Sequence, residues 1–278
     1  VRRRQEAKSA AWFRRIAFDM EKITSRQNEK IRQVAFLKRR SERESTGLFF
    51  FEGVHLLEEF IRFGHTPEYV FATGDAISRS PALIERCGDT VYEVTDSVYE
   101  KMTDEKSPQG ILCVSRFLDS VRRGTPEKGS IILESLQDNG NVGTIIRTAA
   151  SLGTRGVALS ADCADVYAPK TVRATMGALF STDITVVSDM PEAIRILRAD
   201  GGRVFAALLD ENAKRLDETD IRSDDSFAIG NEGNGVSRMT ADACDGGVYI
   251  PMSGRTESLN ASAAAAIILW EMKRSGNG

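Results

Sequence analysis

Asparagine, glycine, arginine and small hydroxyl residues are combined in the segment QDNGNVGTIIRTAASLG (137–153) in a pattern that suits anion binding. The pattern predicts a helix with Asn141 as its N-cap and with glycines at 140 and 143 allowing a tight turn into it. Arg147 lies in the middle of a polar stripe at helical spacing, formed by Thr144, Arg147, Thr148 and Ser151. A guanidinium beside a helix N-terminus is well suited to a phosphate. An ordinary capped helix with an exposed arginine has the same pattern, so both interpretations stay open.

A glycine-rich loop follows a short apolar run in the segment FAIGNEGNGVS (227–237). Glycines at 230, 233 and 235 would let a ligand approach the backbone amides closely. Their order is GxxGxG rather than GxGxxG, and no βαβ unit remains after them, which disfavours a dinucleotide site and an oxidoreductase. Glu232 would repel a phosphate, so it fits better beside a cation or a hydroxyl.

The third polar segment lies near the C-terminus, within YIPMSGRTESLNASAAAAIILW (249–270). A predicted strand ends at Pro251, and a loop leads to Ser258, Leu259 and Asn260 at the start of a helix. The next turns of this helix are nearly all alanine, which permits close approach of neighbouring backbone. A terminal helix that is merely capped and tightly packed would have the same sequence.

Strand-like and helix-like stretches alternate through two parts of the chain, which predicts an α/β fold class. The first part, 20–117, is predicted to be a small α/β domain that begins with a basic helix over 28–44, and the second part is 130–278. Between them, 118–129 is polar with Gly and Pro, and we interpret it as a linker. Since ligands bind at the carboxyl ends of strands in open α/β sheets, the three polar segments are expected to meet there.

Basic residues are concentrated near the N-terminus of this 278-residue chain. Residues 1–50 contain 14 Lys and Arg against 6 Asp and Glu, so they carry +8 while the remainder carries −11 of the total −3. This asymmetry suggests a polyanionic partner, although a solvated charged helix would also produce it. The sequence from Met20 onward is typical of the beginning of a protein, so we expect residues 1–19 to be an N-terminal extension.

Composition excludes several classes of protein. The four cysteines are far apart in the sequence, and the histidines are only His55 and His65, which argues against a disulfide framework, a zinc site and Ser–His chemistry. The longest apolar stretch, 263–270, is too short to span a bilayer. No metal and no membrane association is therefore expected.

Taken together, the three polar segments resemble the SpoU (TrmH) family of RNA ribose 2′-O-methyltransferases. The matching motifs are NxGxxxRTAxxxG at 141–153, IGNEGNGVS at 229–237 and IPMSGxxESLNxS at 250–262. The stretch 167–180 is similar to the segment that connects these motifs in the family, so the resemblance covers 130–278.

The first domain is similar to the ribosomal-protein-like substrate-binding domain that many rRNA-modifying members of the family carry. The similarity is carried by ITSRQNEKIR (23–32), FEGVHLLEE (51–59) and PQGILCV (108–114). The sequence departs from the family pattern at Asn139, where the family often has Pro, and at Ser107-Pro108.

The resemblance implies a SPOUT α/β domain with a deep trefoil knot, preceded by a small α/β RNA-binding domain. It also implies S-adenosylmethionine as cofactor, a homodimer, and an active site at the subunit interface. Gly230, Ile250 and Leu259 would hold the cofactor, and Met252 would line its adenine pocket. No metal is implied.

The resemblance further assigns a set of catalytic positions. Arg147 would be the residue that removes the 2′-hydroxyl proton, or it would only position the substrate phosphate. Asn141 would orient Arg147 or the ribose, Glu232 would balance nearby positive charge, and Ser258 and Asn260 would fix the substrate and the third motif.

The function that we expect is methylation of a ribose 2′-hydroxyl in RNA, most simply 23S ribosomal RNA in the cytoplasm. A tRNA 2′-O-methyltransferase is the nearest alternative, and a non-catalytic RNA-binding assembly protein belongs to a different class. The presence of Asn141, Arg147, Glu232, Ser258 and Asn260 favours an active enzyme, because a catalytically silent relative need not retain them.

Overall fold

A computed structural model describes residues 20–231, 233–253 and 258–275. Two units are distinguished by their internal contacts. One ends at Phe117 and includes Tyr167–Pro169, and the other comprises Leu118–Val166 and the chain from Lys170 onward. Both contain strands and helices in alternation, so the predicted α/β fold class is confirmed.

Five strands form the sheet of the first unit. They are β1 (Lys22–Ile23), β2 (Leu48–Glu52), β3 (Tyr69–Thr73), β4 (Val91–Val94) and β5 (Ile111–Arg116). Their order is β1-β4-β3-β5-β2, and β5 runs antiparallel to both of its neighbours. The helices are α1 (Glu29–Phe36), α2 (Arg40–Thr46), α3 (Val54–Arg62), α4 (Gly74–Arg79), α5 (Pro81–Cys87) and α6 (Asp96–Met102).

The described part of the basic N-terminal segment, from Met20 onward, contributes to the core of this unit. Ile23, Ile31 and Val34 are buried against Phe50 and Phe71 of the sheet. Burial of these side chains fixes which face of α1 is left for solvent, and its basic residues occupy that face.

The prediction of a single basic helix over 28–44 is wrong in one respect, because the structure has two helices there. α1 ends at Phe36, and α2 begins at Arg40. The buried Arg43 side chain holds the turn between them by donating to the carbonyls of Leu37 and Lys38, at 2.7 and 3.0 Å. Arg43 therefore has a structural role that charge counting could not reveal.

Eight strands form the sheet of the second unit, and all their pairings are parallel. They are β6 (Val121–Arg123), β7 (Ser130–Leu133), β8 (Gly156–Ser160), β9 (Ile184–Val187), β10 (Val204–Ala207), β11 (Lys214–Arg215), β12 (Ser226–Ile229) and β13 (Gly246–Tyr249). The helices are α7 (Asn139–Leu152), α8 (Pro169–Thr175), α9 (Met190–Ala199), α10 (Arg238–Ala243) and α11 (Ala261–Ser275).

The strand order of this sheet, β11-β13-β10-β12-β7-β8-β9-β6, identifies where a ligand should bind. From β7 the chain extends the sheet in one direction through β8 and β9, and afterwards in the other direction through β10 and β13. β12 lies between β7 and β10, so the boundary between β7 and β12 is the switch point of the topology. Crevices at such points, outside the carboxyl ends of the strands, are the usual ligand sites.

The predicted linker, 118–129, is more ordered than expected. It contains β6, an edge strand that pairs with β9 through Val121 and Ile184. A three-residue strand with two arginines has too little apolar alternation to be found from its sequence.

The threading of the C-terminal segment into a trefoil knot stays a prediction. None of the described helices is long and apolar enough to cross a membrane.

Helices α7 and α8 approach each other closely at Gly143. A Cβ atom at this position would lie 2.5 Å from the Cβ of Ala174 and 2.7 Å from the carbonyl oxygen of Thr171. α8 ends at Thr175, and the next residue, Met176, has φ 51°.

The contact at Gly143 predicts that Gly143→Ala lowers the free energy of unfolding by about 2 kcal/mol, since overpacking forces backbone to move. Thr144→Ala is the matched control, because Thr144 is exposed on the same helix and its change is expected to fall within about 0.5 kcal/mol. Urea denaturation followed by circular dichroism measures both. Equal stability of the two variants would contradict the close contact.

Candidate functional site

The residues that follow β7, β8 and β12 meet at one edge of the parallel sheet. Glu134 and Ser135 follow β7, Asp162 follows β8, and Gly230 follows β12. Because β7 and β12 are hydrogen-bonded neighbours, their carboxyl ends bring the first and second polar segments together. This edge is the switch point of the sheet.

The loop after β12 folds back on itself at Gly230. A Cβ atom there would lie 1.9 Å from the carbonyl carbon of Gly235 and 2.1 Å from the nitrogen of Val236. Only glycine allows this contact between backbone segments. Asn231 fixes the loop from both sides, because its Nδ2 donates to the carbonyl of Ser135 at 3.1 Å and its Oδ1 accepts from the Gly233 amide at 2.8 Å.

A buried carboxylate, Glu134, holds the far end of the same loop. Its Oε2 accepts from the Ser237 amide at 2.8 Å, and its Oε1 accepts from the hydroxyls of Ser237 and Thr240 at 2.8 and 2.6 Å. Ser237 also caps α10 by accepting from the Thr240 amide. The carboxylate therefore links the end of β7 to the start of α10, so that the loop between β12 and α10 is attached at both ends.

This loop forms one wall of a cavity of about 960 Å³. Of the residues to which the resemblance assigns a role, five line it: Gly230, Ile250, Met252, Ser258 and Leu259. The glycines at 233 and 235 line it as well. Its other walls come from the segments after β10 and β13 and from α11. Polar groups at the cavity that sequence reasoning did not identify are Asp210, Asn212, Asn231, Asn234, Arg238 and Asp242.

Asn141 and Asn260 are brought together, although they are 119 positions apart. The Nδ2 of Asn260 donates to the Oδ1 of Asn141 at 3.1 Å. The Oδ1 of Asn260 accepts from the Ser262 amide at 2.9 Å, so Asn260 caps the first turn of α11. The first and third motifs are thereby joined at the N-terminal ends of α7 and α11.

The expectation that Asn141 is the N-cap of α7 is wrong. Asp138 caps this helix, accepting from the Asn141 amide at 2.8 Å, and the helix begins at Asn139. Asn141 lies inside the first turn, which leaves its side chain available for Asn260. The C-terminal helix likewise begins at Ala261 rather than Ser258, so Ser258 stays on the loop beside the cavity.

Arg147 is exposed on α7 and does not line the cavity. No carboxylate forms an ion pair with its guanidinium within the described ranges, whereas most surface arginines of this unit are paired, as Arg195 is with Glu192. A cation without a described ion pair, on a helix whose first turn contacts the third motif, is suited to a phosphate. Glu232, the remaining predicted residue, lies outside the described residues.

Asp162 supports the same sheet edge from the side of β8. Its carboxylate accepts from the hydroxyls of Ser135, at 2.6 Å, and of Ser160. These two hydrogen bonds lower the pKa of Asp162, so the group stays ionised at neutral pH and fixes Ser135, whose φ is 56°. In the sequence, this network is indicated only by the acidic residues that follow β7 and β8. An Asp or Glu after a strand is too common to predict such a network.

A metal site is not formed by the residues described here, because they contain no group of three or more His, Cys, Asp or Glu side chains arranged to hold an ion. The four cysteines are all buried and unpaired. Burial raises the pKa of Cys244 to about 12 and that of Cys87 to about 11, so both thiols stay protonated and unreactive at neutral pH.

The anchoring of the loop by Glu134 predicts that Glu134→Ala lowers the free energy of unfolding by about 3 kcal/mol, because three donors, among them the buried Thr240 hydroxyl, lose a charged acceptor. Glu134→Gln keeps one acceptor oxygen and should cost less. Glu192→Ala is the control, since an exposed ion pair contributes less than about 1 kcal/mol. Chemical denaturation of the three variants provides the comparison, and a Glu134→Ala variant as stable as Glu192→Ala would contradict the anchoring role.

Comparisons with known proteins agree with the resemblance drawn from the motifs. The model of the SpoU rRNA Methylase family matches residues 128–270, and the model of the MRM3-like substrate binding domain matches residues 28–113. A 23S rRNA (guanosine(2553)-2′-O)-methyltransferase from Bacillus subtilis is 30% identical over 91% of this chain and 100% of its own length. A 23S rRNA (uridine(2479)-2′-O)-methyltransferase from Streptomyces viridochromogenes is 28% identical over 91% and 92%.

Solved structures give the same result for the fold. An S-adenosylmethionine-bound rRNA methyltransferase from Sinorhizobium meliloti superposes with a TM-score of 0.79, with 28% identity over 92% of this chain and 98% of that one. The SpoU methyltransferase AviRb from Streptomyces viridochromogenes, in complex with the same cofactor, superposes with a TM-score of 0.76, with 25% identity over 89% and 98%. The resemblance is confirmed: this chain belongs to the SpoU rRNA methylase family.

Proposed function

We propose that the protein transfers a methyl group from S-adenosylmethionine to a ribose 2′-hydroxyl of 23S ribosomal RNA. The observation that carries the proposal is the geometry of the three motifs. The second and third motifs line one cavity, while the first motif and the third are joined outside it through Asn141 and Asn260. A cofactor pocket and a neighbouring phosphate-binding helix face are the two parts that such a transfer needs.

The cavity fits the cofactor. Its volume is at the upper end of the usual range for small-molecule sites. The absence of a side chain at Gly230 lets the loop backbone close on itself and form one wall of the cavity. Ile250, Met252 and Leu259 provide apolar contacts for a nucleoside. When bound, S-adenosylmethionine supplies an electrophilic methyl group on its sulfonium.

The residues of the chain then have to bind the RNA and keep the 2′-oxygen in place. Asn141 and Asn260 restrain each other through their hydrogen bond, which fixes the N-terminal turn of α7. Ser258 lies at the cavity wall, where its hydroxyl can hydrogen-bond a ribose. Glu232 remains assigned to balancing positive charge at the second motif.

Arg147 has two competing roles, removing the 2′-hydroxyl proton or binding a substrate phosphate. A guanidinium stays protonated in almost any protein environment, which favours the second role. The exposed position of Arg147 and the absence of an ion pair within the described ranges also support phosphate binding.

Large-subunit ribosomal RNA is the substrate that the relatives support. Both of the curated relatives described above are named for 2′-O-methylation of 23S rRNA, and they extend over nearly the whole chain, including the first unit. The match of residues 28–113 to a substrate binding domain supports RNA binding by that unit. A cytoplasmic location follows from this substrate as part of the proposal.

A homodimer is part of the same proposal. Trp270 and Ile267, one turn apart on α11, are 55% and 39% exposed, which is unusual for large apolar side chains on a helix. Arg147 does not line the cavity of its own chain, so a second subunit that covers α11 would have to complete the site.

Arg147→Ala is expected to reduce methyl transfer to 23S rRNA about a hundredfold or more, because a ribose that has lost its phosphate anchor no longer holds its 2′-oxygen in line with the methyl group. Binding of S-adenosylmethionine should be unchanged, since Arg147 does not line the cavity. Transfer of a tritiated methyl group and calorimetric binding measure the two effects, with Arg195→Ala as the control from another exposed helix. Undiminished transfer by Arg147→Ala would remove Arg147 from the mechanism.

Gly230→Ala should weaken binding of S-adenosylmethionine at least about tenfold, because the added methyl group displaces the loop backbone that forms the cavity wall. Gly246→Ala is a matched control in the same cavity, since a Cβ at Gly246 meets no heavy atom within 4 Å. Isothermal titration calorimetry compares them. Equal affinity of the two variants would show that the loop does not contact the cofactor.

A further inference from the structure

Phe36, the last residue of α1, is an aromatic side chain left on the surface of the first unit. It is 44% exposed, although its neighbours on the same helix, Ile31 and Val34, are fully buried. It lies between two surface depressions of about 450 and 670 Å³, both of which it lines together with Gln27 and Arg32.

The smaller depression has an uncommon composition. It is lined by Phe36 and Ala35, by the amide of Gln27, and by three exposed basic residues: Arg26, Arg32 and Lys101. Among the described residues, none that lines it is acidic. The larger depression differs, because Glu29 and Glu42 are among its lining residues. A polyanion is therefore expected on the Lys101 side of the ring.

The three cations around Phe36 are not neutralised by the part of the chain that the structure describes. Neighbouring basic residues are, since Lys38 pairs with Asp104 at 2.6 Å and Arg40 with Glu44 at 2.8 Å. An exposed ring inside a group of unpaired cations is the combination that binds single-stranded nucleic acid, through base stacking and phosphate contacts.

We propose that an unpaired base of the RNA stacks on Phe36, with its flanking phosphates held by Arg26, Arg32 and Lys101. This inference rests on the proposed function and makes it more specific, since it requires a looped or single-stranded region in the bound RNA. A base within a duplex is already stacked on both sides and cannot reach the ring without being unpaired first.

The test uses the full-length protein and two fluorescent RNA probes, a hairpin with an unpaired loop and a blunt duplex of the same length. Phe36→Ala should weaken hairpin binding by about fivefold or more, the fold-change that corresponds to loss of one base–aromatic stack. Duplex binding should not change. Phe36→Trp should restore hairpin binding, because it retains an aromatic surface.

Phe63→Ala is the matched control. Phe63 is 38% exposed in the same unit and has a guanidinium, that of Arg62, 4.2 Å from its ring, but Arg62 is paired with Glu59. Its removal should leave binding of both probes unchanged. Thermal melting of each variant verifies that the unit remains folded.

Salt dependence separates stacking from phosphate contacts. Arg32→Gln and Lys101→Gln should each lower the slope of log affinity against log salt by about one, whereas Phe36→Ala should lower the affinity and leave the slope unchanged. These two exposed positions also provide variants that do not depend on removing an aromatic residue.

Three results would contradict the stacking site. Phe36→Ala could bind the hairpin as tightly as the wild-type protein does, Phe63→Ala could lose as much hairpin affinity as Phe36→Ala, or Phe36→Ala could lose as much affinity for the duplex as for the hairpin. Methyl transfer to 23S rRNA by the wild-type protein is measured in the same preparation to separate the two proposals. If transfer occurs while Phe36→Ala binds normally, only the stacking site is wrong. If the wild-type protein methylates no RNA, the proposed function is wrong whatever the probes show.

Discussion

The contact between Gly230 and the backbone of Gly235 and Val236 is the constraint on which the rest of the site depends. A loop that folds back at this distance tolerates no side chain at its first position. Such a loop also needs fixed ends. At one end Asn231 donates to the carbonyl of Ser135, and at the other end Ser237 donates to the carboxylate of Glu134. Both attachments come from the end of β7, so the parallel pairing of β7 with β12 determines where the loop can close and where the cavity lies.

The same sheet edge separates two kinds of chemistry. The cavity side is built from backbone and apolar groups, as at Gly230, Ile250 and Leu259, which suits a bulky nucleoside cofactor. The helix side carries the polar groups Asn141 and Arg147, which suit a ribose and its phosphate. In the first unit, by contrast, Phe36 and its unpaired cations lie on a helix whose opposite face is buried in the core. Net charge alone could not reveal this arrangement, because most basic residues elsewhere are paired with acidic ones.

The family and the α/β class were predictable from the sequence because motif residues and strand–helix alternation are local properties. The cavity is lined by four residues predicted to hold the cofactor and by Ser258, predicted to fix the substrate; these residues follow strands or precede a helix, which is a local property of the sequence. Long-range contacts were not predictable. Nothing in the spacing indicates that Glu134 bonds Ser237, that Asn260 bonds Asn141 or that Arg43 is buried, and the cap of α7 was misplaced because Asp138 and Asn141 are equally good capping residues.

Methylation of a ribose 2′-oxygen in large-subunit rRNA is the activity that we propose for this chain. The most direct test maps 2′-O-methyl groups across the ribosomal RNA of cells that lack the gene, with and without a plasmid copy of the wild-type or Arg147→Ala protein. We expect one 23S rRNA position to lose its methyl group in these cells, to regain it with the wild-type copy and to stay unmethylated with the variant. An unchanged 23S rRNA map, or restoration by Arg147→Ala, would contradict it.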